Sequence, residues 1–312
     1  VGCGDWAKDC LLNNPDVNEV VQVNAPWHNK QICEYPANSI QGFFESLKYI
    51  FFSKEVRSLR KRNINYGIDA LGSPEGSFLM AAANIPCRLG IKGYAGGHSG
   101  CSRYVQYDEQ LHVGESLLRF ISLLGGDLGE DTMPIIHLTS EERAYGQGVW
   151  SRFKERQKCK KIIIAPGAGF IEKNWGIESY FLLIKALAKD RSNQIVIVGS
   201  RGDFDFNEDD LSRGNNVINL CGETSLRETF SVVACANSVV CNSSLIMHVA
   251  GAFRLPNLVL LGDWYDSADL HAKQWGHENS IVFGRETTKE KRSIVTVEEA
   301  LLKMINNGMI DG

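Results

Sequence analysis

Five times in the second half of the chain, a short apolar run ends in small and polar residues. Ile162–Ala165 leads into Gly167–Lys173, and Ile195–Val198 into Gly199–Asp203. Val217–Leu220 leads into Gly222–Thr224, Ser238–Cys241 into Asn242–His248, and Leu258–Leu261 into Gly262–Asp263. Helical patterns lie between these runs. In Glu178–Asp190, residues Tyr180, Leu183, Ile184 and Leu187 follow i, i+3, i+4, i+7 spacing. Alternating strands and helices predict parallel α/β sheets, because parallel neighbours need a crossover between them. Ligands of such sheets bind beyond the carboxyl ends of the strands. The five loops are therefore expected to gather on one edge.

The first half alternates less cleanly. Strands are expected over Val17–Val23, Ile64–Ala70 and Cys87–Ile91. Helices are expected over Ser39–Arg62, Gly76–Ala83 and Glu115–Leu124. Thr139-Ser140-Glu141-Glu142, Ser225-Leu226-Arg227-Glu228 and Thr296-Val297-Glu298-Glu299 have capping-box spacing and each should start a helix. Residues 146–161 turn polar and basic, which places a domain border near residue 152. A chain of 312 residues can bury two cores. The expected domains are 1–152 and 153–312.

A net charge of −4 gives no broad attraction to nucleic acid. Lys54–Arg62, KEVRSLRKR, is the one basic stretch, and it reads equally as the solvated face of a helix. Nine scattered cysteines form no C-x-x-C and no zinc spacing. They point to a reducing compartment and so to the cytosol. Cys3, Cys87, Cys221, Cys235 and Cys241 sit among apolar residues, as small hydrophobes do. No apolar run is long enough to span a bilayer, and no signal peptide is seen. The opening VGCGDW reads as the end of a strand, so further residues are expected upstream.

Ile162–Trp175, IIIAPGAGFIEKNW, is the best candidate for a binding loop. Its turn, Gly167-Ala168-Gly169, can bring backbone N–H groups to an anion, and Lys173 can neutralise it. The same run also reads as an ordinary β–loop–α connection with a solvated lysine. Ser243 and Ser244 suit a phosphate or sugar hydroxyl, or they cap the following helix. Asp203 suits ribose hydroxyls, or a loop cap. His248 suits a phosphate or sugar contact, or a packed position in its helix. Asp203-Phe204-Asp205 matches a D-x-D metal tripeptide, but Glu208-Asp209-Asp210 shows that the segment is simply acidic. No metal site is expected. Gly-x-Ser-x-Gly and HExxH are absent.

These residues resemble the ADP-heptose:lipopolysaccharide heptosyltransferases, glycosyltransferase family 9. That family runs from a PGA turn through Lys and Trp to a strand ending G-S-x-x-D. It continues with N-L-x-G-x-T-S-L and closes on N-D-S-G-x-M-H-x-A-A-A. Here stand Pro166-Gly167-Ala168, Lys173, Trp175, Gly199-Ser200-Arg201-Gly202-Asp203 and Asn219–Leu226. The last block is Asn242–Ala252. The first half is similar at Asn14–Val20, Ile68–Gly72 with Ser77 and Ala81, Arg88–Ile91 and His112-Val113. Two departures stand out: Ser243 replaces the family's aspartate, and Leu245 its glycine.

The resemblance implies a GT-B architecture, α/β with two Rossmann-like domains facing a central cleft, the first incomplete at its N-terminus. It implies an inverting glycosyltransferase that moves a heptose or related sugar from an ADP-sugar to a lipopolysaccharide core saccharide. Donor contacts are implied for Gly167, Ala168, Gly169, Lys173, Asp203, Thr224, Ser243, Ser244, Leu245 and His248. The catalytic aspartate is expected in a Gly-Asp loop upstream of Val1, with Asp5 a weaker candidate. No cofactor or metal is implied beyond the ADP-sugar substrate. The partners are the donor and a saccharide acceptor, not nucleic acid. A cytoplasmic location with peripheral contact at the inner membrane is compatible with this. Two other readings stay open: a nucleotide-sugar epimerase of similar architecture, and a non-catalytic nucleotide-sugar-binding protein.

Overall fold

The computed structural model describes all residues except 28–31, 37–38, 128–132, 154–158, 207–215, 285–294 and 312. Glu208-Asp209-Asp210 thus lies outside the described residues. The chain forms two compact units, Val1–Thr132 and Met133–Gly312.

In the first unit, β1 (Gly2–Cys3) and β2 (Val21–Gln22) form a short parallel pair. Parallel β3 (Tyr66–Ile68), β4 (Cys87–Lys92) and β5 (Arg103–Gln106) form a second sheet, in that order. The expected helix over Ser39–Arg62 is two helices, α1 (Ile40–Phe52) and α2 (Lys54–Arg60). Ser53 divides them. Its backbone is extended and its hydroxyl accepts from Val56 N–H, so it ends one helix and caps the next. Part of the basic stretch is engaged within the unit. Arg60 donates to the Ala82 carbonyl, and Arg62 pairs with Glu19. Ser73 and Pro74 start α3 (Pro74–Ala82), and His112 caps α4 (Val113–Leu123).

The second unit begins earlier than residue 152. Helix α5 (Ser140–Ser151), opened by the Thr139 capping box, packs on α7 (Leu226–Ala234). Gly146 permits this, since a Cβ there would lie 2.1 Å from the Ser231 carbonyl oxygen. Trp150 Nε1 donates to Val232 O at 3.0 Å, and Arg227 holds Glu142 through two bonds of 2.6 Å. These contacts join α5 to the second core and correct the expected border.

The remaining elements are β6 (Lys160–Ala165), α6 (Ile177–Leu187), β7 (Asn193–Ile197), β8 (Val217–Asn219), β9 (Ser238–Asn242) and α8 (Leu245–Ala252). After them come β10 (Asn257–Leu260), α9 (Ala268–Trp275), β11 (Ser280–Phe283) and α10 (Val297–Asn306). The six strands are parallel in the order β11-β10-β9-β6-β7-β8. This is the doubly wound order, with its switch point between β6 and β9. Ile162, Ile163 and Ile164 are fully buried, as continuous apolar strands of a two-faced sheet should be. One face meets the Tyr180, Leu183, Ile184 and Leu187 stripe of α6, with Ala300 and Met304 of α10. Among the described residues, no helix is long and apolar enough to cross a membrane.

Candidate functional site

At the switch point, the loops after β6 and β9 face each other and are tied by one buried side chain. Asn242 ends β9 and has no exposed surface. Its Oδ1 accepts from Trp175 N–H and the Tyr180 hydroxyl, each at 3.0 Å. Its Nδ2 donates to Pro166 O at 2.6 Å and Asn174 Oδ1 at 2.7 Å. One amide thus fixes both ends of the Pro166–Trp175 loop. Trp175 is itself buried against Tyr180 and donates from Nε1 to Val295 O at 2.7 Å.

Above this bracket lies a cleft of about 670 Å³, within the size range of ligand sites. Its lining includes Gly167, Ala168, Gly169, Lys173, Asp203, Thr224, Ser243, Ser244 and Leu245. Each element presents its residue for a local reason. Lys173 ends a 3-10 turn, Ile171–Lys173, with its ammonium 5.3 Å from the Phe170 ring and 5.8 Å from the Tyr265 ring. Asp203 accepts from Ser200 N–H at 2.6 Å, and its carboxylate fills the space beside Gly167. A Cβ on Gly167 would lie 2.2 Å from Asp203 Oδ2. Gly169 has open space where a Cβ would point. Gly222, at φ +76°, turns the chain after β8 against Arg201. Thr224 Oγ1 lies 2.8 Å from Thr229 Oγ1.

Ser244 occupies the N-cap of α8 but its hydroxyl makes no capping bond. The cap explanation for this serine therefore falls away, and its side chain borders the cleft. Burial raises the pKa of the Tyr265 phenol, and Ser243 pulls it back. Leu245 is the first residue of α8 and partly exposed at the cleft.

His248 does not line the cleft. Its Nδ1 lies 3.0 Å from His277 Nε2, and its ring meets Trp275 edge-on at 6.3 Å. The packed reading of this histidine describes its place. Asp5 lies in the other unit, exposed, and accepts from Gln22 Nε2 and Asn24 Nδ2.

Sequence reasoning passed over three features of this site. Phe170, Ser200 and Thr229 also line the cleft. From the sequence Asn242 reads as a neighbour of its serines, not as the bracket. His271, 7% exposed, packs on Tyr265 at 4.4 Å. Burial first, then the charges of Lys173 and His248, hold its pKa down at about 4. A buried neutral imidazole behind the cleft leaves Lys173 as a nearby positive charge.

Comparison with known proteins bears on what such a cleft serves. Residues 53–301 match the model of glycosyltransferase family 9 (heptosyltransferase). Lipopolysaccharide heptosyltransferase 2 of Escherichia coli strain K12 is 32% identical over 41% of this chain and 38% of its own length. The Salmonella typhimurium protein of that description is 34% identical over 82% of this chain and 72% of its own. The solved E. coli ADP-heptose lps heptosyltransferase II shares the fold. Its TM-score is 0.67 at 21% identity, covering 98% of this chain and 88% of that one. The epimerase and binding-protein readings gain nothing from these likenesses. By the length of the family match and the identity to the Salmonella protein, the chain belongs to glycosyltransferase family 9, the heptosyltransferases.

Proposed function

We propose that the cleft binds an ADP-sugar and that the protein transfers a heptose, or a related sugar, to a lipopolysaccharide core saccharide with inversion. The observation that carries this reading is the cleft itself. In a family 9 chain, it joins Lys173, the Gly167–Gly169 turn and the uncapped N-terminus of α8 at the sheet's switch point. Those groups suit a diphosphate, since N–H dipoles and one ammonium converge where its oxygens would lie.

In the reaction, the acceptor hydroxyl oxygen forms a bond to C1 of the donor sugar as the C1–O bond to the β-phosphate breaks. A carboxylate takes the hydroxyl proton, and the electron pair of the broken bond leaves on ADP. Charge grows on that phosphate in the transition state. Lys173, the turn amides and the amides at Ser243 and Ser244 stabilise it, acting more on the transition state than on the ground state. Asp203 holds the ribose hydroxyls through lone pairs left beyond its Ser200 bond, and Thr224 lies at the adenine. The base is not assigned to Asp5, whose carboxylate is engaged by Gln22 and Asn24.

Calorimetric titration with ADP tests the donor site. Wild type should bind, and Lys173→Ala should bind about ten- to a hundredfold more weakly, as for a lost charge-assisted contact. Equal affinity in the two would remove Lys173 from the phosphate. Turnover with ADP-heptose, with the product anomer read by NMR, tests the chemistry; a retained configuration would overturn the single displacement.

A further inference from the structure

The donor reading leaves one end of the ligand without partners. Asp203 and Thr224 follow β7 and β8, on one side of the switch point. The glycine turn and the start of α8 follow β6 and β9, at the switch point itself. A nucleoside, a diphosphate and a sugar are joined in a line. With the nucleoside over β7 and β8 and the phosphates over β6 and β9, the sugar falls over the carboxyl end of β10.

What stands there is aromatic. Trp264, in the loop after β10, stacks on Phe170 with ring centroids 6.0 Å apart and planes 3° from parallel. Trp264 is 57% exposed and Phe170 41%. Burial in the core therefore does not account for either ring. Phe170 also lines the cleft, and the Lys173 ammonium sits 5.3 Å from its ring.

The pair is held firmly despite its exposure. Trp264 N–H donates to Glu172 O at 3.0 Å. Gly262 lies so close to the 172–174 backbone that a Cβ there would be 2.4 Å from Asn174 O. The loop after β10 is thus clamped to the turn that carries Lys173. Ring pair and lysine are thus joined through the backbone.

We propose that Phe170 and Trp264 form a platform for the transferred sugar of the donor, with Trp264 as a specificity-determining residue. The proposal rests on the donor reading above. A pyranose ring turns one face of C–H hydrogens outward, and such a face packs on the negative face of an aromatic ring. Resting there, the sugar keeps C1 beside the phosphate that Lys173 neutralises. The ring pair recognises the sugar and not the nucleotide.

The test is calorimetric titration of wild type, Trp264→Leu and Trp264→Phe with ADP and, separately, with ADP-heptose. Melting curves check that each variant is folded. ADP affinity should stay within about twofold in all three, while ADP-heptose affinity falls about tenfold in Trp264→Leu and returns largely in Trp264→Phe. An equal loss for both ligands would put the adenine or the diphosphate on the rings and overturn the platform. Unchanged ADP-heptose affinity would overturn it too, while leaving the donor site intact. Failure of wild type to bind ADP would overturn the donor site and the platform together, a pattern distinct from both.

Discussion

Replacing Asn242 by alanine should loosen both walls of the cleft at once. The lost amide leaves the Trp175 N–H and the Tyr180 hydroxyl without an acceptor, and Pro166 O and Asn174 Oδ1 without a donor. Each buried group so stranded costs about 1–3 kcal/mol. Three of the four lie on the loop that borders the cleft, where entering water can relieve the two carbonyl oxygens, Pro166 O and Asn174 Oδ1. A net loss of about 4 kcal/mol follows from the other two with partial relief of the first pair. That is a large share of the ~5–15 kcal/mol that holds a domain folded. With a urea slope of about 2 kcal/mol per molar, the unfolding midpoint should fall by about 2 M.

The isosteric Asn242→Asp separates hydrogen bonding from cavity effects. One carboxylate oxygen still accepts from Trp175 and Tyr180. The other meets Pro166 O, which cannot donate, so the site favours the protonated acid. The folded carboxyl then keeps its proton over a pH range where the unfolded one has lost it. Stability of this variant should therefore rise as pH falls from 8 to 5, the sense opposite to a salt-bridged aspartate. Urea titrations of both variants at the two pH values, with ADP calorimetry alongside, make the measurement. A cost below about 1 kcal/mol for Asn242→Ala would refute the bracket, since that is the worth of one ordinary hydrogen bond. An Asn242→Asp variant insensitive to pH would refute the facing of its amide nitrogen toward Pro166.

Two further predictions test the surroundings of the site. Gly167→Ala drives a methyl to 2.2 Å from Asp203 Oδ2 and should cost about 1–3 kcal/mol with weakened ADP binding, whereas Gly169→Ala, with open space, should be near neutral in stability; equal effects in thermal melts and titrations would show that Asp203 does not press on the turn. His271, at about 4 when folded against an ordinary 6.5, takes up its proton more readily in the unfolded chain, so its stabilising effect is full above pH 6.5 and is lost as pH falls toward 4. The loss at pH 5 should be about 2 kcal/mol, and urea unfolding of His271→Gln should show a shallower fall between pH 7 and 5 than wild type; identical slopes would refute a buried neutral imidazole.

The sequence is most readable where a residue's role depends on its own neighbours in the chain. The buried strands announce themselves because both of their faces are covered, so Ile162–Ile164 has no polar alternation to disguise it. The capping boxes at Thr139, Ser225 and Thr296 all form, because cap and partner lie three residues apart. Edge elements are harder. In β5, Arg103–Gln106, only Val105 is buried, so no apolar run marks it, and the apolar run of β11, Ile281–Phe283, is short and only half-buried. Ser53 splits a helix whose periodicity continues on both sides of it, and a cap leaves no mark on that periodicity.

The site divides along the same line. Gly167, Lys173, Asp203 and Ser244 could be named in advance because strand ends are local features and the sheet gathers them. Asn242 could not be read as a bracket, since its partners are 62 to 76 residues away, in a different loop and in α6. His248 shows how nonlocal packing enters a helix position. Spacing sets it one turn from Ser244, but its contacts with Trp275, at the end of α9, and with His277, in the loop that follows, cannot be read from its own neighbours. The Phe170–Trp264 pair joins two loops in the same nonlocal way. Motif spacing therefore locates the glycine-turn end of the cleft, while the contacts that hold its walls and shape its far end arise only when β6, β9 and β10 are laid side by side.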